Sequence, residues 1–134
     1  MENTAFLYIE DDLMSRKVME FILENLVGGQ HYTIFEDSDN FLERVESLSP
    51  PPTVIFLDIH VSPHDGFAML ELLREHPDFY DAKIIAVTAS VMNEEIKQLK
   101  QAGFDSCIAK PINADLFPAL LDRILSGEQV WSVR

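Results

Sequence analysis

Short, unbroken apolar runs alternate along this chain with longer stretches in which apolar residues recur every three or four positions. The runs are Phe6-Leu7-Tyr8-Ile9, Tyr32-Thr33-Ile34-Phe35, Val54-Ile55-Phe56-Leu57, Ile84-Ile85-Ala86-Val87 and Cys107-Ile108-Ala109. Runs of this length, bounded by turn residues, predict strands buried on both faces. The second is less apolar and is predicted to lie nearer an edge. Helical spacing follows at Met14, Val18, Phe21, Ile22 and Leu26, then at Phe41, Leu42, Val45 and Leu48, then at Phe67, Met69, Leu70 and Leu73. Met92, Ile96 and Leu99 mark a fourth helix, and Leu116, Phe117, Leu120, Leu121 and Ile124 a fifth.

Turn chemistry punctuates the same elements. Asp12 is placed to cap the first helix and Gly28-Gly29 to end it. A residue within Ser38 to Asn40 is expected to cap the second, which Pro50-Pro51-Pro52 stops. The third ends near His76-Pro77 and the fourth at Gly103. Asn113 is expected to cap the fifth, but Pro118 removes a backbone donor and crowds the preceding turn, so that helix is predicted to begin late or bend. Gly127 closes it. Residues 1–127 form one domain on this reading, and Glu128 to Arg134 a tail carrying an exposed-looking Trp131, for which packing on its own domain is favoured over docking. Strand and helix alternate five times, which implies right-handed crossovers and a doubly wound parallel sheet covered on both faces.

Composition narrows the function classes. The 134 residues suit a single core. A formal net charge of −13 argues against a bulk electrostatic role on nucleic acid. It fits a solvated acidic surface, with room for a bound cation or a basic partner face. The single cysteine, Cys107, excludes an internal disulfide and points to a reducing, cytoplasmic setting. The N-terminus lacks the basic region of a signal peptide, and no stretch is long enough to span a bilayer, so no membrane partner is expected.

The chemistry sits where strands end. The first runs into Glu10-Asp11-Asp12, the third into Asp58, the fourth into Thr88 and the fifth into Lys110. In a parallel sheet these ends share one edge, the edge at which open α/β sheets bind ligands. Crowded carboxylates repel one another unless a cation neutralises them. Mg²⁺ takes oxygen ligands and keeps waters. Lys110 is suited to pairing with Asp58 or a phosphoryl oxygen, and the Thr88 hydroxyl can donate to another. Aspartate is a competent nucleophile for phosphoryl transfer, a reaction that needs mainly alignment and charge stabilisation. Singly, each residue has an ordinary explanation as a cap, a packing residue or a solvated lysine; their joint arrangement is the specific signal.

Leu7-Tyr8-Ile9-Glu10-Asp11-Asp12, Leu57-Asp58-Ile59 with Asp65-Gly66, Val87-Thr88-Ala89 and Ala109-Lys110-Pro111 resemble the receiver domain of response regulators, over about Phe6 to Leu125. The resemblance implies a flavodoxin-like sheet of strand order 2-1-3-4-5. It implies that Glu10 and Asp11 hold Mg²⁺ together with Asp58 and the backbone carbonyl of His60. Asp58 would take a phosphoryl group from a phosphohistidine on a histidine kinase or histidine phosphotransfer protein, with Thr88 and Lys110 holding its oxygens. The Lys110-Pro111 bond is expected to be cis. The partner surface implied is the fourth helix, fifth strand and fifth helix, with kinase docking on the first helix around Met14 to Ile22. With no output domain following, the expectation is a stand-alone, monomeric or weakly dimeric regulator that is a phosphoacceptor rather than an enzyme. The alternative is a receiver cut from a hybrid kinase or a relay intermediate.

Three positions depart from the family pattern. In Ile59-His60-Val61-Ser62-Pro63-His64-Asp65-Gly66 the proline is displaced by one position from the family's usual Met-Pro. Cys107 stands three before Lys110, where an aromatic switch residue is common; as a residue it is read as a buried small hydrophobe ahead of a redox sensor. His60 and Ser90 occupy the positions two past Asp58 and Thr88, which in the family tune water access to the acyl phosphate; His60 either influences phosphoryl lifetime or points to solvent. No Cys/His spacing supports a transition-metal site. An FMN carrier on this fold would need a hydroxyl- and glycine-rich loop after strand one, where Glu10-Asp11-Asp12 would repel phosphate. A phosphatase with an aspartate nucleophile would carry it after the first strand, with a cap insertion that is not visible.

Overall fold

The computed structural model describes residues 4–27 and 31–133. The strands are β1 (Phe6–Ile9), β2 (Tyr32–Phe35), β3 (Val54–Asp58), β4 (Lys83–Thr88), β5 (Ser106–Ala109) and β6 (Trp131–Val133). The helices are α1 (Leu13–Val27), α2 (Phe41–Glu46), α3 (Gly66–Arg74), α4 (Asn93–Ala102) and α5 (Phe117–Leu125). All strand pairs are parallel, in the order β2-β1-β3-β4-β5-β6. The expected order 2-1-3-4-5 is therefore present, and β2 lies at an edge as its weaker apolarity predicts.

Each central strand divides its side chains between two cores. Leu7, Ile9, Ile55, Leu57, Ile84 and Ala86 pack with the inner faces of α2, α3 and α4. Phe6, Tyr8, Val54, Phe56, Ile85 and Val87 pack with α1 and α5. Strands buried on both sides need no polar alternation, which is why they read as unbroken apolar runs. Phe56 is the hub of the second core, stacked on Phe6, edge-on to Tyr8 and tilted against Phe117.

Local structure refines several expectations. Trp131 packs half-buried against the first core, as favoured for it, and Trp131 to Val133 add a sixth strand beside β5. Three residues are too few for a strand period to show. On α1 the residues facing the core are Met19, Ile22 and Leu23, whereas Met14 and Phe21 point outward at 66% exposure each. Met92 precedes α4 as an exposed N-cap rather than packing inward. Asn40 occupies the N-cap of α2 in a left-handed conformation, φ 48°, with no side-chain capping bond. Asn113 caps only a turn over residues 114–116, and α5 begins at Phe117 with Pro118 in its first turn, where the missing donor costs nothing. Asp12 caps α1 by accepting from the Ser15 amide at 2.8 Å, and Asp65 caps α3 by accepting from the Ala68 amide at 2.8 Å. The Gly28-Gly29 stop lies outside the described residues.

Candidate functional site

The period of two along each strand decides which strand-end side chains meet. Tyr8, Phe56 and Ile108 face the α1/α5 core. Two residues further on, Glu10, Asp58 and Lys110 fall on that same face, just past the last apolar layer. On β4 it is Ala86 that faces the opposite core, so Thr88 falls on the α3/α4 side.

The structure brings Glu10, Asp11 and Asp58 together, with one carboxylate oxygen of each within 4.8 Å of the others. Glu10 and Asp58 are buried and Asp11 is exposed at the rim. Lys110 Nζ lies 3.0 and 3.1 Å from the two Glu10 oxygens and 3.6 Å from Asp58 Oδ1. The ammonium thus pairs with Asp58, as expected, but sits closer to Glu10. The Tyr8 hydroxyl donates to Glu10 Oε1 at 2.5 Å, and the His60 amide donates to Asp58 Oδ1 at 3.3 Å. The His60 ring is exposed. Thr88 is buried, and its Oγ1 accepts from the Ser90 amide at 3.1 Å. It lines a cleft with His60, Phe67, Ser90, Glu95 and Leu99. The Lys110-Pro111 peptide is cis.

Two buried carboxylates side by side resist double ionisation. Burial is the largest influence on Asp58, followed by the hydrogen bond and charge of Glu10; together they push its carboxyl up to about 7 against the opposing pull of Lys110 and the His60 amide. Burial also opposes ionisation of Glu10, yet hydrogen bonds from Asp58, Tyr8 and Lys110 hold it below the usual glutamate range. The pair therefore keeps its shared proton on Asp58 while Glu10 carries the charge that Lys110 balances. Lys110 is held above its ordinary value: burial opposes this, but Glu10 and Asp58 outweigh it. Tyr8 is driven well above the usual tyrosine range by burial first and by Glu10 second.

The loop after β3 is fixed from below. The Ser38 hydroxyl donates to the His64 carbonyl and accepts from the His64 amide, both at 2.7 Å, and the Ser38 amide donates to the Ser62 carbonyl at 3.1 Å. Gly66 is required there: an added Cβ would lie 2.7 Å from Ile59 Cδ1 and 2.9 Å from Ile59 Cα. Motif and spacing give Tyr8, Ser38 and Glu95 no role at the site, although Tyr8 precedes Glu10 by one strand period and so shares its face.

An oxygen-only set of three carboxylates at a solvent-facing rim suits a hard divalent cation. A family model for the response regulator receiver domain matches residues 6–122. The chain belongs to the response regulator receiver domain family. Such receivers are phosphoacceptors of two-component systems that bind Mg²⁺ in an acidic pocket and interact with histidine kinases or phosphotransfer proteins. This receiver is 30% identical over 113 residues to stress response regulator protein 1 of Meyerozyma guilliermondii, covering 84% of this chain and 51% of that one. The chain spans 13% to 51% of the length of the curated relatives it matches. Its fold is that of the chemotaxis response regulator CheY4 of Vibrio cholerae, with TM-score 0.79 at 19% identity over 90% of this chain and 98% of that one. The receiver domain of a sensor histidine kinase from Pseudomonas aeruginosa, crystallised with a magnesium ion coordinated in its active-site cleft, superposes with TM-score 0.75 at 22% identity, covering 92% of this chain and 98% of that one.

Proposed function

We propose that this receiver takes a phosphoryl group onto Asp58 from a phosphohistidine of a sensor kinase or phosphotransfer protein, and signals onward by protein contact. The observation that carries the reading is the convergence of Asp58 with Glu10, Asp11 and Lys110 at one rim of the sheet. An ionised Asp58 oxygen attacks phosphorus, the phosphorus–nitrogen bond to the imidazole breaks, and an aspartyl phosphate forms as the imidazole leaves. Glu10, Asp11, Asp58 and the His60 carbonyl would hold Mg²⁺, which supplies charge neutralisation at the transferring group. Lys110 holds one phosphoryl oxygen, giving up part of its hold on Glu10. Thr88 reaches a second oxygen from the α3/α4 side of the sheet.

Docking falls to α1, whose outer face presents Met14 and Phe21, two turns apart and each 66% exposed. The fitting partner is a helical phosphohistidine domain with an apolar patch beside its histidine. A regulator that signals by direct protein contact in the cytoplasm is the first reading. A receiver within a hybrid kinase or relay is the second. Both use the same chemistry.

The test is incubation with Mg²⁺ and a small phosphodonor, followed by intact mass. A gain of one phosphoryl group in the parent and none in Asp58→Asn is expected. An unmodified parent defeats the proposal.

A further inference from the structure

The edge of β5 is closed by the chain itself. Gly127, at φ +104°, turns the backbone after α5, and Val130 arrives alongside β5. The Val130 amide donates to the buried Ser106 hydroxyl at 2.9 Å, and its carbonyl accepts from the Cys107 amide at 2.8 Å. Val130 is 2% exposed. Trp131 pairs in register with Cys107, lies against the first core, and has Lys100 Nζ of α4 5.3 Å from its ring centroid. The register then slips between Cys107 and Ile108. A three-residue edge strand with one slip is a weak attachment compared with the four- and five-residue ladders of the inner strands.

The other end of α4 reaches the site. The Ser90 amide donates to Thr88 Oγ1, and the Ser90 hydroxyl donates to Glu95 Oε1 at 2.9 Å. Glu95 Oε2 is buried with no hydrogen-bond partner among the described residues. A buried acceptor without a donor is costly and favours any rearrangement that supplies one. Leu99 is the one fully buried residue of α4, so the helix is lightly anchored between these two contacts. A cation over an aromatic ring at one end and a hydroxyl–carboxylate bond at the other tie Trp131, through the helix from Lys100 back to Glu95, to Ser90, whose amide holds Thr88 at the end of β4.

We propose that residues 128–133 form a cis-acting strap over the β5 edge, held shut through α4, and that phosphoryl transfer to Asp58 releases it. The proposal rests on the phosphoacceptor reading above and adds its regulation. When Thr88 turns toward a phosphoryl oxygen it leaves the Ser90 amide. Ser90 and Glu95 then rearrange, and α4 carries Lys100 off the Trp131 ring. The β5 edge and the apolar side of α4 become available to a partner only once the strap lifts.

The experiment uses the full chain, with hydrogen exchange read at single amides and emission read from Trp131, the chain's one tryptophan. Mg²⁺ and a small phosphodonor are added, and modification is followed by mass. Modified protein is expected to exchange the Cys107 amide at least tenfold faster and to shift Trp131 emission to the red, with the Phe56 amide unchanged. Asp58→Asn shows neither change. Trp131→Ala is expected to take up the phosphoryl group to the same extent but to exchange Cys107 rapidly in both states, with Phe56 protection showing that the core is intact. A fully phosphorylated parent whose Cys107 protection and emission stay put overturns the strap while leaving the phosphoacceptor reading standing. So does Trp131→Ala with parental Cys107 protection. An unmodified parent removes both.

Discussion

The Lys110 ammonium spans both oxygens of the fully buried Glu10 carboxylate, at 3.0 and 3.1 Å. Glu10 follows β1 and Lys110 follows β5, so this one pair joins the ends of two strands that are not neighbours in the sheet. It also leaves Asp58 as the partner that keeps the proton. Lys110→Met would strand the Glu10 charge. Removing one member of a buried pair costs about 3 kcal/mol or more. The variant is expected to lose about that much stability at pH 7.5 in urea unfolding, and less at pH 5, where Glu10 can take up a proton. A parental midpoint at pH 7.5 would show that the pair contributes nothing net.

Stability of the metal-free protein should fall as pH rises from about 5 to 7. Asp58 is pushed up to about 7 in the folded state, whereas an unfolded aspartate titrates near ~3.9. Across that interval the folded protein binds the extra proton, so raising the pH favours unfolding. Glu10 shifts the opposite way, and its contribution is lost only as pH drops below the usual glutamate range. Asp58→Asn removes the slope and is expected to be the more stable protein at pH 8, by on the order of 1–3 kcal/mol. Thermal melts across this pH series, in the presence of a chelator, decide the matter; a flat parental profile contradicts it.

Most of this architecture is legible because parallel strands buried on both faces leave runs such as Val54 to Leu57 with no polar interruption. The site is legible for a related reason: a charged residue directly after such a run can only be at a strand end. What escapes is set by phase and by distance. The α1 heptad-like spacing does not say which side faces in, and Met14 and Phe21 turn out while Met19 and Leu23 turn in. Trp131 gives no strand signal because its strand is three residues long and pairs with Cys107 and Ile108, more than twenty positions away. The preference of Lys110 for Glu10 depends on which of two buried carboxylates keeps a proton, which no spacing records.

Gly66 is a second place where one atom decides. Gly66→Ala puts a methyl group 2.7 Å from Ile59 Cδ1 and 3.2 Å from the Asp58 carbonyl oxygen. The side chain of Ile59 can yield, but its Cα at 2.9 Å cannot without moving the backbone that follows Asp58. Overpacking of this kind costs about 1–3 kcal/mol. A lowered Tm and a slower rate of aspartyl phosphate formation are expected together, because the same displacement reaches the nucleophile. A lowered Tm with an unchanged rate would place the damage in the loop alone.

Cation binding at the rim has to displace the proton that Asp58 holds. Below about 7 the apparent affinity for Mg²⁺ is therefore expected to fall by about tenfold per pH unit, and above it to level off. Lys110 and the ion compete for Glu10, so Lys110→Met should bind Mg²⁺ more tightly than the parent at pH 8 even though it folds less stably. Calorimetry in two buffers of different ionisation enthalpy separates these effects. Near pH 6 close to one proton should leave per ion bound, and near pH 8.5 almost none. Asp58→Asn should bind weakly and release no proton at either pH. If the parent binds Mg²⁺ at pH 6 without releasing a proton, Asp58 is already ionised there, and the buried pair does not share its charge as the geometry implies.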